Sequence, residues 1–133
     1  MRAFVLFWIA IWLGLAVAQG IPQVREVDED QAYWFVVNRV REAFVVGLPP
    51  EQVGEALRTK KVTLVLGTEA PPKWAQGARV VRLGGTPFSG MFILADGRFF
   101  LARKMERGRV VWLIVESPEV VAVLRGYFSV VVR

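Results

Sequence analysis

Two short apolar runs with a helical pattern between them constrain the fold of this chain most. Ala43 to Leu48 and Lys61 to Gly67 are rich in β-branched and other apolar residues, which is typical of buried strands. Glu51 to Thr59 lies between them and carries Val53 and Leu57 about one helical turn apart. Strand, helix and strand in this order predict a βαβ unit with parallel strands. The sequence therefore predicts an α/β fold.

The first residues resemble a targeting segment rather than part of that fold. Arg2 is followed by an apolar run from Ala3 to Leu15 and then by the small residues Ala16-Val17-Ala18. This order is typical of a secretory signal peptide, and the run is shorter than the roughly 20 residues that span a bilayer. We expect residues 1–18 to be removed near Ala18 and the chain to be periplasmic or secreted. Retention of the segment as a membrane anchor is the alternative.

The rest of the chain has room for one domain. Removal of residues 1–18 would leave 133 − 18 = 115 residues, the size of a single small domain. Residues 19–27 lack a clear period and are predicted to be an extended leader, so that the domain covers residues 28–133. The chain has no cysteine, so disulfide bonds and a lipid-anchored cysteine are both excluded.

Helix signals flank the predicted domain. Asp28 and Gln31 have the spacing of a capping box and predict a helix that continues to about Arg41. Ser117-Pro118-Glu119 supplies an N-cap, a first-turn proline and an acidic residue, and predicts a final helix that runs nearly to Arg133. Trp34, Trp74 and Trp112 are predicted to be core residues or partly buried anchors.

The dipeptide Asp96-Gly97 predicts a tight hairpin. It separates the apolar runs Phe92 to Ala95 and Phe99 to Ala102, and its two residues suit the positive φ angles of a type I′ turn. Val110 to Val115 is predicted to be the last strand. Two antiparallel strands should therefore follow the parallel unit.

The order of elements and the residues around Asp96 resemble one half of a phospholipase D-like domain, the HKD phosphodiesterase superfamily, over residues 28–133. The family signature is His-x-Lys, four residues, then Asp-Gly. Asp96 and Gly97 match it, whereas Ser89 stands at the histidine position and Met91 at the lysine position. The Gly-Ser-x-Asn segment expected near Ala102 to Met105 is absent as well. The resemblance implies a mixed, mostly parallel sheet with flanking helices.

These substitutions bear on the chemistry that the resemblance implies. Family members use two histidines as nucleophile and general acid, and lysines that hold the phosphate. This chain contains no histidine, so two copies cannot restore the reaction. Met91 offers no positive charge to a phosphate oxygen. Ser89 and Met91 are then most simply a loop residue and a core-facing filler.

The absence of histidine and cysteine excludes further function classes. Neither a Ser-His-Asp triad, nor a thiolate nucleophile, nor a zinc site of the usual kinds can be built from these residues. The carboxylates are scattered along the chain. We therefore expect no cofactor, no metal site and no conventional enzyme activity.

The segment from Arg103 to Arg109 is the most basic part of the chain and is predicted to be a solvated turn between strands. Its cations Arg103, Lys104, Arg107 and Arg109 are the candidates for contact with an anionic partner, in a chain of net charge +5.

Four interpretations of function stay open. The first is a catalytically inactive phospholipase D-like domain that serves in binding or assembly, as a homodimer or with a related half-domain. The second is a binding module for anionic polymers or phospholipid headgroups. The third is a residual or unconventional phosphodiesterase, and the fourth is a small exported α/β domain outside this superfamily.

Overall fold

A computed structural model describes residues 23–131, with side chains up to residue 129. The predicted signal peptide and residues 19–22 lie outside the described residues. The described part contains seven strands, three α-helices and one 3₁₀ turn, Lys73–Gly77. The strands are β1 (Gln23–Val27), β2 (Glu42–Val46), β3 (Lys61–Leu66), β4 (Arg79–Arg82), β5 (Phe92–Ala95), β6 (Phe99–Glu106) and β7 (Arg109–Glu116). The helices are α1 (Glu29–Arg39), α2 (Glu51–Leu57) and α3 (Pro118–Val131).

All seven strands form one sheet in the order β1-β7-β6-β5-β2-β3-β4. The βαβ prediction is confirmed, since β2 and β3 are parallel neighbours joined through α2. The expectation of a mostly parallel sheet is wrong. Only β2/β3 and β3/β4 pair in parallel, and the other four pairings are antiparallel. The short connections within β5-β6-β7 explain two of these antiparallel pairings, because parallel neighbours need a crossover of a dozen residues or more.

The predicted leader also needs correction. Gln23–Val27 is not an extended connection but the edge strand β1, which pairs antiparallel with β7 from Gln23↔Glu116 to Val27↔Trp112. The folded domain therefore begins before residue 28. Most side chains of β1 are exposed, so the sequence shows little hydrophobic alternation there.

The basic segment is not the solvated turn that the sequence predicted. Arg103 to Glu106 extends β6, and Arg109 already belongs to β7. Only Arg107 and Gly108 form the turn, both with positive φ (52° and 75°). The sequence pattern does not indicate a strand here, because the last side chains of β6, after its apolar part, are exposed.

Helices cover the sheet on both faces. One face packs against α1, α2 and the 3₁₀ turn, and its buried cluster includes Trp74 and Trp112. The other face packs against α3, whose Val120, Val121, Leu124 and Phe128 are all buried. Trp34 does not join the core: it is 56% exposed, because Ala32, Phe35 and Val36 form the buried stripe of α1.

The helix signals are confirmed. Asp28 caps α1 by accepting from Gln31 N, while the Gln31 side chain accepts from Asp28 N. Ser117 Oγ accepts from Val120 N at the start of α3, and Pro118 is the first helical residue. None of the helices within residues 23–131 is long and apolar enough to cross a membrane.

Candidate functional site

A cleft of about 350 Å³ opens where the parallel strands β2 and β3 end. In open α/β sheets, ligands usually bind outside the carboxyl ends of the strands, where the strand order changes direction. Here β2 lies between its parallel neighbour β3 and its antiparallel neighbour β5. The residues that line the cleft are Leu48, Glu69, Phe88, Ser89, Gly90, Met91, Arg103, Lys104 and Met105.

Two glycines let the loop before β5 approach the strand ends closely. Gly47 follows β2 with φ +86°, and a Cβ at that position would lie 2.3 Å from Gly90 O. Gly67 follows β3, and a Cβ there would lie 2.0 Å from Thr86 O. Any larger residue at either position would push this loop outward. The shape of the cleft therefore depends on these two contacts.

Glu69 fastens the same loop with its carboxylate. Its Oε1 accepts from Gly67 N at 2.8 Å and its Oε2 accepts from Phe88 N at 3.1 Å. Both oxygens are thus engaged with backbone N–H groups. Sequence reasoning missed this residue, because nothing in the local pattern indicates a bond between positions 69 and 88.

The structure brings Ser89 and Met91 to the cleft. Ser89 is exposed, whereas Met91 is buried and packs with the core on the α1 and α2 face of the sheet. The interpretation of Ser89 as a loop residue and Met91 as a core filler is consistent with these positions. The cleft lining therefore includes one exposed hydroxyl, that of Ser89, and one buried thioether, that of Met91.

Arg103 lines the cleft and is paired with the carboxylate of Glu29. Its Nε donates to Glu29 Oε1 at 2.7 Å, and the buried Trp112 donates its Nε1–H to the same oxygen at 3.3 Å. Glu29 is the first residue of α1, immediately after the Asp28 cap. Arg103 therefore connects β6 to the start of α1 as well as lining the cleft.

The four anion-binding candidates do not form one surface. Lys104 lines the cleft and lies 3.4 Å from Glu106 Oε2 and 3.9 Å from Glu26 Oε1. Arg107 occupies the β6–β7 turn, and Arg109 lines a separate groove beside Glu26 and Asp28. Two of the candidates thus meet at the cleft, and the other two lie elsewhere.

Asp96 and Gly97 lie at the opposite edge of the sheet from the cleft. They connect β5 to β6 with φ angles of 56° and 66°, and Arg98 N donates to Ala95 O across the turn. Asp96 Oδ1 accepts from Glu42 N at 2.8 Å and from Arg41 N at 3.1 Å. The carboxylate thus fixes the start of β2 and does not reach the cleft residues.

Two apolar side chains stand exposed on the rim of the cleft. Leu48 is 42% exposed and Met105 is 64% exposed. Large exposed apolar patches mark interaction sites, and these two side chains are the exposed apolar part of the cleft lining. Within residues 23–131, no three carboxylates come together as metal ligands.

Comparison with known proteins supports the fold but no more specific property of the chain. No family model matches the chain, and neither does any curated protein. Among solved structures, the chain is similar to NucT from Helicobacter pylori, a protein of the phospholipase D family, with a TM-score of 0.61 and 11% sequence identity. The similarity covers 81% of this chain and 94% of that one. The fold is therefore phospholipase D-like.

Proposed function

We propose that this chain is an exported phospholipase D-like domain without phosphodiesterase activity that serves in binding or assembly. The observation that carries the proposal is the lining of the cleft. Ser89 and Met91 lie there, and no histidine exists in the chain to form a phosphohistidine. A serine without a neighbouring base is a weak nucleophile, and a buried thioether contributes no charge to a phosphate oxygen.

The cations at the cleft support the loss of activity as well. Arg103 donates to Glu29, and Lys104 lies between Glu106 and Glu26. Their charges are therefore largely balanced by protein carboxylates. A cleft that stabilises a transferring phosphoryl group needs cations directed at the developing charge.

The apolar rim favours assembly as the remaining role. Leu48 and Met105 flank the cleft, and burial of such side chains against a partner is favourable at roughly 25 cal/mol per Å² of apolar surface. The expected partner is a second copy or a related half-domain, packed with its own cleft edge against this one.

An activity assay and an assembly assay test the two parts of this proposal. The chain should not hydrolyse a chromogenic phosphodiester above the buffer rate, with or without divalent metal ions. Turnover that follows the protein through purification and falls on Ser89→Ala would disprove the loss of activity.

For assembly, sedimentation equilibrium should detect a dimer that Leu48→Ser and Met105→Ser together convert to monomer. Val123→Ser is the matched control, because Val123 is 44% exposed on α3, away from the cleft lining. A chain that stays monomeric at high concentration, or a dimer that only the control disrupts, would contradict assembly through the rim.

Binding of anionic polymers or phospholipid headgroups is the second candidate. The meeting of Arg103 and Lys104 at the cleft favours it, although a bound anion must there compete with Glu29, Glu26 and Glu106. Retention of the chain on heparin at low salt should then weaken when Arg103, Lys104, Arg107 and Arg109 are replaced by alanine. Arg58→Ala is a control, since that arginine pairs with Glu55 on α2.

A further inference from the structure

A second concavity lies at the amino ends of β2, β3 and β4, at the edge of the sheet opposite the cleft. It has a volume of about 410 Å³. Its lining residues are Glu42, Ala43, Lys61, Val62, Thr63, Gly77, Arg79 and Arg125. We call it the amino-edge groove. None of its residues belongs to the cleft or to the basic segment of β6 and β7.

Strand register brings its polar side chains to one face. Glu42 is opposite Lys61, and Thr63 is opposite Arg79. Side chains two apart on a strand share a face, and Phe44 and Val65 belong to the core cluster beneath α3. Glu42, Lys61 and Thr63 therefore project from the α3 face, beyond the part of the sheet that α3 covers.

Arg125 of α3 completes the groove from above. Its guanidinium carbon lies 4.4 Å from the centroid of the Phe44 ring. A cation over an aromatic face at this distance is held by the negative potential of the ring. The side chain is thereby held in place, and its N–H groups remain available at the groove.

The ion pairs inside the groove are loose. Glu42 Oε2 lies 4.0 Å from Lys61 Nζ, and Glu42 Oε1 lies 4.0 Å from Arg125 Nη1. Hydrogen bonds from nitrogen to oxygen are about 2.7 to 3.2 Å long, so neither cation donates to this carboxylate. Arg79 forms no ion pair within residues 23–131. The groove therefore holds three cations whose donors are not used by the one carboxylate among them.

The balance of charge in the groove favours a dianionic ligand. Three cations and one carboxylate give 3 − 1 = +2 at neutral pH. A phosphate monoester carries about −1.5 to −2 at this pH and offers three acceptor oxygens. Arginine guanidinium groups match such oxygens with paired donors. We propose that the amino-edge groove binds a small phosphate monoester, with its phosphate held by Lys61, Arg79 and Arg125. This site is independent of the proposed function of the cleft.

Amide chemical shifts of the isotope-labelled, purified chain test this proposal with glycerol 3-phosphate, inorganic phosphate and succinate as probes. The chemical shifts of the Thr63 and Arg79 amides should change saturably with both phosphate compounds. The compound with the lower dissociation constant then shows whether the ligand is a phosphate ester or free phosphate. Succinate, a dianion without a phosphate group, should bind at least about tenfold more weakly, because its two charges cannot converge on three cations. Equal binding of succinate, or no saturable shift at these amides, would overturn the proposal.

Variants separate the site from general attraction of anions to a basic protein. Arg79→Gln should raise the dissociation constant about tenfold or more, the effect expected when a charge-assisted hydrogen bond is lost. Arg82→Gln is the matched control, because Arg82 lies on the same strand at its other end and is also exposed. Arg125→Lys, which keeps the charge but not the guanidinium fork, should weaken binding less than Arg79→Gln. Equal weakening by Arg82→Gln would refute the groove as the site.

Discussion

The carboxylate of Asp96 holds two segments of backbone together. Its carboxylate accepts N–H groups from Arg41 and Glu42, where β2 begins beside the β5–β6 connection. Those donors lie just before the first residue pair of the β2/β5 register, Ala43↔Ala95. Asp96 also has a positive φ, which aspartate and asparagine tolerate better than most residues. The two hydrogen bonds and the positive φ together account for an aspartate at this position without any ligand.

Replacement of Asp96 should therefore lower stability. Asp96→Ala loses both backbone acceptors and strains the positive φ, at a cost of about 2 kcal/mol in the free energy of unfolding. Asp96→Asn keeps the backbone preference and one acceptor oxygen, so it should cost about half as much. Urea unfolding measures both variants. Equal stability of Asp96→Ala and the parent chain would show that these hydrogen bonds contribute nothing.

At the scale of elements, the sequence predicts structure that depends on neighbouring residues, but not structure that depends on residues far apart in the chain. The caps at Asp28 and Ser117 were predicted because their partners lie three residues away. The edge strand β1 was missed because its exposed side chains carry no pattern and its partner β7 is about 90 residues away in the chain. Likewise, the cleft could be predicted only in part. The spacing indicated Ser89 and Met91, but the contact between Glu69 and Phe88 follows from tertiary structure alone.

Two glycines on different elements should respond in opposite ways to the same replacement. Gly67→Ala would place its Cβ 2.0 Å from Thr86 O, so the loop over the cleft must move and stability should fall by about 2 kcal/mol or more. Gly126 lies within α3 with open space around it, so Gly126→Ala should raise stability by about 0.5 to 1 kcal/mol. Thermal unfolding compares the two. A gain in stability for Gly67→Ala would contradict the close approach.

At the scale of the whole molecule, the sheet is shared by two cores. Residues of one face pack against α1 and α2, and residues of the other face pack against α3. Alternate positions of the same strands supply both clusters, as Val45 and Phe44 do on β2. Loss of either layer exposes one face of every strand involved. The two layers should therefore unfold together.

A substitution in one layer tests this coupling. Phe128→Ala removes the ring that packs against Phe44 and Phe92 beneath α3, and should cost about 3 to 5 kcal/mol. Tryptophan fluorescence, to which the buried Trp74 and Trp112 of the opposite layer contribute, should report the same shifted midpoint as far-UV circular dichroism. Two separate transitions in the variant would mean that the layers are independent.

The position of β1 at the edge of the sheet has a consequence for how the chain is made. β1 is the first described strand to be synthesised, and its partner β7 is the last. Pairing two strands so far apart in the chain costs conformational entropy, which only the contacts of the completed sheet offset. β1 therefore stays unpaired until nearly all of the domain has been translated. Any factor that shields an unpaired strand during synthesis would act first on Gln23–Val27.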